Sequence, residues 1–154
     1  MKKILIVLLV FSCQSNSKKD DHVQLAYSVF ETLRQDDFNK FQLFFMPHKV
    51  NGLQADGVDE AEYYKFVSNS FTKSIGSFER KGLKIEDFKI TDVTELVPRL
   101  SQRVYGGKKF EFFEFYVFLE NDKKESYRAQ MKCIKIENKY WFRDNVAVIK
   151  FPVE

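Results

Sequence analysis

Few residues of this sequence have the type and spacing that acid–base chemistry requires. The chain has two histidines, His22 and His48. His22 lies in a polar stretch and is interpreted as a solvated linker residue. His48 follows Pro47 and could act as a base, but no carboxylate lies near it in the sequence to orient its ring. We therefore expect His48 at the surface, with a catalytic base as the alternative.

Neighbouring charged residues are the second possible source of chemistry. Asp36 and Asp37 could bind a cation or exchange protons, yet capping a helix requires only one of them and explains them better. Arg143 and Asp144 follow Trp141 and could point into the mouth of a cavity. An ion pair on an edge strand is the alternative interpretation of these two residues.

Motifs for a nucleophile, a phosphate or a metal are missing. Ser68, Ser70 and Ser74 fall on one predicted helix, without a Gly-x-Ser-x-Gly elbow. The segment "YGGKK" at 105–109 lacks the spacing of a phosphate-binding loop. The two cysteines form neither a CxxC pair nor a zinc-binding pattern. The sequence thus predicts no catalytic residue, no metal site and no cofactor.

The N-terminus has the pattern of an export signal. Lys2 and Lys3 precede an unbroken apolar run of eight residues at positions 4–11. A membrane-spanning helix needs about 20 apolar residues, so this run is too short to cross a bilayer. Residues 1–12 are interpreted as a signal peptide that is removed after export.

The first cysteine, Cys13, ends this signal. The segment "VFSC" at 10–13 resembles the bacterial lipobox, in which an aliphatic residue and two further residues, the last one small, precede a cysteine. The resemblance implies that the Cys13 sulfur receives a diacylglycerol, that the chain is cut just before it, and that the new N-terminus is acylated, for example with palmitate. Phe11 is bulkier than the residue often found there. An ordinary secreted protein, cut near Ser12 or Ser15, is the alternative.

Several acyl chains on Cys13 would hold the protein durably on a lipid bilayer. Residues 14–22, "QSNSKKDDH", contain nothing large to bury and are interpreted as a flexible tether. In the enteric lipoprotein pattern an Asp directly after the cysteine retains the protein at the inner membrane. Gln14 stands there, so the resemblance favours the outer membrane, on its periplasmic or its surface side.

Composition limits the partners and the size of the folded part. The formal net charge of +3 includes Lys2 and Lys3, so a processed chain would carry about +1, which argues against nucleic acid as a partner. Seventeen phenylalanines and seven tyrosines can fill a sizeable core without disulfides. Residues 23–154 are predicted to form a single domain.

Three helices are predicted before residue 80. The first carries an apolar stripe from Val23 to Leu33, and the second is a short helix that Asp36 or Asp37 caps and Pro47 ends. Residues 48–58 contain two glycines and are predicted to form a loop. Asp59 with Glu62 is typical of a capping box that opens the third helix, whose stripe includes Tyr63, Val67, Phe71 and Phe78.

Antiparallel strands are predicted after Gly82. The first is expected to bulge near Asp87, and Pro98 is placed in a connection that leads to Gly106 and Gly107. The aromatic segment 110–119 is the strongest strand and is expected at the centre of the sheet. Its helix-facing residues are predicted to be Phe113, Phe115, Val117 and Leu119. A half-buried strand through Tyr127, Ala129, Met131 and Cys133 and a last strand with a buried Trp141 follow.

The order of elements predicts an α+β fold with helices packed on one face of a curved antiparallel sheet. The segments "QDDFNKFQLFFMP" and "ENKYWFRD", at 35–47 and 137–144, resemble the short second helix and the Trp-bearing strand of the nuclear transport factor 2-like, cystatin-related cone. The resemblance spans about residues 23–148 and implies a cone-shaped domain, but no catalytic signature of that family transfers to this sequence.

The leading hypothesis is a non-enzymatic, membrane-tethered module that binds a small apolar or amphipathic ligand or another envelope protein. Because Glu114 interrupts the second face of the central strand, that carboxylate should face water, a cation or a partner. Phe112, Glu114, Tyr116 and Phe118 are therefore the candidate interaction surface, partly covered by a partner or by the C-terminal segment. An envelope enzyme using Asp144 or His48, and an immunity-type or inhibitory lipoprotein, are the alternatives.

Overall fold

The computed structural model describes residues 21–151, so the predicted signal peptide, Cys13 and most of the tether lie outside the described residues. The helices are α1 (Asp21–Arg34), α2 (Phe38–Phe41) and α3 (Glu60–Glu79), followed by a 3-10 turn at Ile85–Asp87. The strands are β1 (Lys49–Val50), β2 (Leu53–Gln54), β3 (Phe88–Val93), β4 (Val97–Tyr105), β5 (Lys108–Asn121), β6 (Ser126–Ile136) and β7 (Lys139–Lys150). Over the described range, no helix combines the length and apolarity required to cross a membrane.

Strand β5 is the centre of a five-stranded antiparallel sheet. One edge of β5 pairs first with β4, over residues 108–114, and then with β3, over residues 117–121. The other edge pairs with β6, and β6 pairs with β7. Strands β1 and β2 form a separate small hairpin. The α+β class and the central position of the aromatic strand are confirmed.

The caps of α2 and α3 are those that the sequence predicts. Asp37 caps α2 by accepting a hydrogen bond from the Lys40 amide, with 3.0 Å between N and Oδ1. The Asp59 carboxylate accepts from the Glu62 amide at 2.8 Å, and the Glu62 carboxylate accepts in return from the Asp59 amide. Each cap satisfies amide groups that the first turn of a helix leaves without partners.

The face of β5 that meets the helices is the predicted one. Phe115, Val117 and Leu119 are fully buried, and Phe113 is half-buried against the core. The ring of His22, at the start of α1, lies 5.5 Å from the Phe115 ring in an edge-on contact. The inward residues of β6 are also buried as expected: Tyr127, Ala129, Met131 and Cys133.

The prediction that His22 is a solvated tether residue is wrong. Helix α1 includes Asp21 and His22, two residues that the sequence assigns to the tether. His22 is only 6% exposed, and its Nε2 lies 3.2 Å from the carbonyl oxygen of Thr94. The polar neighbours of His22 in the sequence suggest a solvated linker, but the first turn of α1 places the His22 ring against β5.

The predicted burial of Trp141 against the helices is also wrong. Phe142 occupies that position, with its ring 5.6 Å from the ring of Phe41 and 5.7 Å from that of Phe45. Successive strand residues point to opposite faces of a sheet, so Trp141 lies on the other face. There it is half-buried, with the Lys139 ammonium 3.7 Å from its ring centroid.

Two details of the predicted strands differ from the structure. The connection expected around Pro98 is a nine-residue strand, β4, whose first seven residues are all exposed. The bulge expected near Asp87 is absent because Ile85–Asp87 forms a 3-10 turn; the register of β3 shifts instead between Ile90 and Asp92. Residues 48–58, predicted as a loop, contain the small β1–β2 hairpin.

Helix α3 is joined to β7 by a buried serine. The Ser74 hydroxyl donates to the Ser70 carbonyl at 2.7 Å and accepts from the Val146 amide at 2.9 Å. Ser74→Ala would leave the buried Val146 amide without this acceptor. We expect the free energy of unfolding to fall by about 1–3 kcal/mol, the usual cost of an unsatisfied buried group.

Urea denaturation of the full chain measures this loss. Ser68→Ala, at an exposed position on the same helix, is the matched control and should change stability by less than about 0.5 kcal/mol. Equal stabilities of the two variants would contradict the role assigned to Ser74.

Candidate functional site

An open groove of about 530 Å³ lies between the first half of α3, the C-terminal end of β4 and Arg143 of β7. We call it the α3 groove. Its apolar and aromatic walls come from the 46–58 segment, from α3 and from β4: Met46, Ala55, Val58, Tyr63, Phe66 and Val104. Phe66 is 43% exposed, so part of this apolar wall is open to solvent.

The segment 44–58 builds one side of the groove because it is bonded to both edges of the sheet. On the β7 edge, the Phe142 amide donates to the Phe44 carbonyl and the Met46 amide donates to the Phe142 carbonyl, each at 2.8 Å. On the β4 edge, the Asp56 amide donates to the Val104 carbonyl. The sheet is therefore bridged across its open end, and residues far apart in the sequence meet around one cavity.

Two tyrosine hydroxyls hold the segment 44–58 against α3 and β4. The Tyr63 hydroxyl donates to the Met46 carbonyl at 2.6 Å, and the Tyr105 hydroxyl donates to the Pro47 carbonyl. Burial raises the pKa of Tyr63 to about 12 and also raises the pKa of Tyr105. Both hydroxyls therefore stay protonated at neutral pH and act as hydrogen-bond donors, not as bases.

Five charged side chains line the same groove: Asp56, Glu62, Lys65, Arg103 and Arg143. The Asp56 carboxylate accepts from the Gly107 amide, with N–O distances of 3.0 and 3.3 Å. The Arg143 guanidinium donates from Nη1 to Oε1 of Gln102 at 2.9 Å. Its central carbon lies 4.4 Å from the centroid of the Phe112 ring. Partial burial lowers the pKa of Arg143.

The two residues named for a possible enzyme have separate structural partners. His48 is half-buried beside the groove and not on the open surface; its Nε2 lies 3.0 Å from the Val58 carbonyl oxygen, and its ring lies 5.1 Å from the Tyr63 ring. Asp144 forms an ion pair with Lys132, with a 2.9 Å N–O distance, and not with Arg143. Arg143 itself lines the groove, as expected of a residue at a cavity mouth.

The candidate interaction surface is partly covered by the chain itself. Glu114 is only 4% exposed, and its carboxylate meets the guanidinium of Arg99 at 2.6 Å and the Tyr116 hydroxyl at 3.0 Å. Although burial raises the pKa of Glu114, hydrogen bonds from Arg99, Gln130 and Tyr116 hold it below its ordinary value. Of the three surroundings expected for Glu114, which were water, a cation or a partner, the structure shows a cation, the guanidinium of Arg99.

The other residues of this surface are less enclosed. Phe112 is buried, whereas Tyr116 and Phe118 are half-buried. The ring of Phe151 lies 5.8 Å from that of Phe118, so the C-terminal segment covers part of this face, as predicted. In this conformation Tyr116 and Phe118 are the members of the surface that a partner can reach.

No group of three histidine, cysteine, aspartate or glutamate side chains within residues 21–151 is placed to hold a metal ion. The remaining cysteine, Cys133, is fully buried, and burial raises the pKa of its thiol to about 12. A thiol with this pKa is a poor nucleophile at neutral pH.

Sequence reasoning found Arg143 but missed the other residues of the groove. Arg103 lies in a segment that the sequence predicts as a connection, and for Tyr63 the sequence favours the core over a place in an aromatic pocket. No local pattern links these positions because the groove forms only when residues 44–58 bridge β4 and β7.

No protein-family model, curated protein or solved structure matches this chain. A function therefore has to be inferred from the side chains of the α3 groove and from the N-terminal sequence.

Proposed function

We propose that this protein is a bacterial envelope lipoprotein, anchored through acylated Cys13, whose domain is a non-enzymatic binding module. Gln14, directly after that cysteine, favours the outer membrane. The ligand is a small amphipathic molecule held in the α3 groove. The domain is proposed to be a nuclear transport factor 2-like cone. The packing of three helices on one face of a curved sheet supports that assignment.

The observation that carries the proposal is the composition of the groove. Small-molecule sites are concave, measure about 300–1,000 Å³, and combine a mostly apolar lining with a few polar groups that orient the ligand. The α3 groove has a volume of about 530 Å³, six apolar or aromatic wall residues and five charged ones. It therefore has the size and the chemistry of a site for an amphipathic molecule.

A binding role is favoured over a catalytic one by the contacts of the titratable groups. His48 is engaged by the Val58 carbonyl, Asp144 is paired with Lys132, and Asp56 accepts from the Gly107 amide. General acid–base catalysis requires a base within reach of a substrate proton and a second group that orients the base. These three groups instead make contacts within the domain that stabilise its fold.

Binding of a neutral apolar dye tests this role. N-Phenyl-1-naphthylamine fluoresces strongly only in apolar surroundings, so we expect its emission to rise on addition of the full chain carrying Cys13→Ser, which needs no detergent. Asn69 lines the groove on the exposed side of α3. Asn69→Trp places a large ring in the groove and should weaken dye binding by about tenfold, because the ring occupies space that the ligand needs.

The matched control for this variant is Ser68→Trp, at the neighbouring exposed position of α3 outside the groove lining. It should bind the dye as the parent chain does. The proposed function fails if the dye does not bind, or if both tryptophan variants bind it equally well.

A further inference from the structure

The charges that line the α3 groove are unequally compensated. Both carboxylates accept hydrogen bonds from backbone amides: Asp56 from Gly107 at 3.0 Å and Glu62 from Asp59 at 3.4 Å. Among residues 21–151, the side chains of Lys65 and Arg103 make no hydrogen bond and no ion pair. The groove therefore carries more uncompensated positive than negative charge.

Arg143 is the most constrained of these cations. Its guanidinium is half-buried, lies over the Phe112 ring and donates to the neutral amide oxygen of Gln102. The nearby carboxylate of Asp144 is paired with Lys132. A partly desolvated cation without a contacting anion is destabilised, and an anion that reaches it relieves that cost.

The geometry of Arg143 also suits a planar anion. A guanidinium has five N–H donors in a fixed fork, of which one nitrogen here is used by Gln102. The stacking on Phe112 and the bond to Gln102 hold the plane of the group in place. The remaining donors can bind a carboxylate or a similar oxyanion in two parallel hydrogen bonds.

We propose that the ligand of the α3 groove is an amphipathic anion. Its oxyanion head binds Arg143 and Arg103, and its hydrocarbon part lies on the apolar wall formed by Met46, Val58 and Phe66. This inference rests on the proposed function, since it names the chemical class of the molecule that the groove takes.

Three probes with one hydrocarbon chain and different heads test the class: decanoate, decanol and decylamine. Binding to the full chain carrying Cys13→Ser is measured by calorimetry at pH 7.5 and low ionic strength. We expect decanoate to bind about tenfold more tightly than decanol, because a hydrogen bond to a charged partner is worth more than a neutral one. Decylamine should bind more weakly than decanol because like charges repel.

Two substitutions locate the contact. Arg143→Gln removes the charge but keeps a donor, and should weaken decanoate about tenfold while changing decanol by less than about twofold. Arg103→Gln, at an exposed position, should act in the same direction without loss of folding. Arg128→Gln removes an equal charge from a position outside the groove lining, where Arg128 lies over Tyr116, and should leave decanoate binding unchanged.

The outcomes separate this inference from the proposed function. If decylamine or decanol binds as tightly as decanoate, or if Arg143→Gln, Arg103→Gln and Arg128→Gln behave alike, the assignment of an anionic ligand is overturned while the groove remains a binding site. If none of the three probes binds and the neutral dye also fails, the proposed function itself is overturned.

Discussion

Replacing Phe142 with alanine is expected to lower the free energy of unfolding by about 3–5 kcal/mol, the usual range for emptying a buried aromatic site. Phe142 is fully buried, and its ring contacts the rings of Phe41 and Phe45. Its backbone is also bonded to residues 44 and 46. Phe142→Ala would thus leave a cavity where α2, β7 and the groove-forming segment meet. A loss of this size is a large fraction of the stability of an ordinary domain.

The adjacent Trp141→Ala is the control because it removes a larger ring from the opposite face of β7. Trp141 is half-buried and lies under the Lys139 ammonium, so its removal should cost only about 1–2 kcal/mol. Both variants are compared by urea denaturation, followed by circular dichroism because Trp141 is the single tryptophan. An equal or larger loss in Trp141→Ala would mean that Trp141, and not Phe142, faces the helices.

The helical half of the fold could be predicted because its determinants are local. The capping box is formed by Asp59 and Glu62, which are three residues apart in the sequence, and it fixes the start of α3. Both of its hydrogen bonds are present. The central strand was also predictable, since Glu114 distinguishes its two faces. A carboxylate is costly to bury alone, and the structure places it beside Arg99 on the face away from the helices.

The orientation of β7 could not be read from its sequence. In "YWF" every residue is aromatic, so the alternation that reveals a buried face is lost, and a shift of one residue exchanges the two faces. The register of β7 against β6 shifts between residues 130 and 132, and Asp144 has a positive φ of 81° at this point. The contacts of Phe142 with α2 decide the orientation, and these contacts are distant in sequence.

Strand β4 was not predicted because its sequence has too few apolar residues, whereas the relevant part of β7 is aromatic at every position. Its exposed stretch has no apolar face to give a period of two, and Leu100, the most apolar residue in its middle, is 88% exposed. Backbone pairing with β5 defines this exposed part of the strand. Since Arg103 lies on β4, the error also concealed one cation of the groove. A site assembled from residues near positions 46, 58, 66, 103 and 143 has no signature in any one segment.

Cys13→Ser is expected to abolish membrane attachment, the largest change in behaviour that any single substitution in this chain should produce. The proposed modification alkylates a thiolate sulfur, and a serine hydroxyl is too weak a nucleophile to replace it. Without acylation the chain loses several hydrocarbon chains, each CH₂ of which contributes about 0.8 kcal/mol to membrane affinity. The variant should therefore appear in the soluble fraction or remain unprocessed, and its mass should lack the lipid.

Cys133→Ala is the matched control for this experiment. Cys133 is fully buried between the helices and the sheet, so its thiol is not accessible to an acylating enzyme. The control chain should stay with the membrane after a carbonate wash and should keep the mass of the acyl groups. If Cys13→Ser is retained on the membrane after the same wash, the anchor must lie elsewhere, and an apolar ligand bound from the bilayer would become the better explanation of membrane association. Intact mass spectrometry of both variants decides between these possibilities, because only covalent acylation changes the mass of the chain.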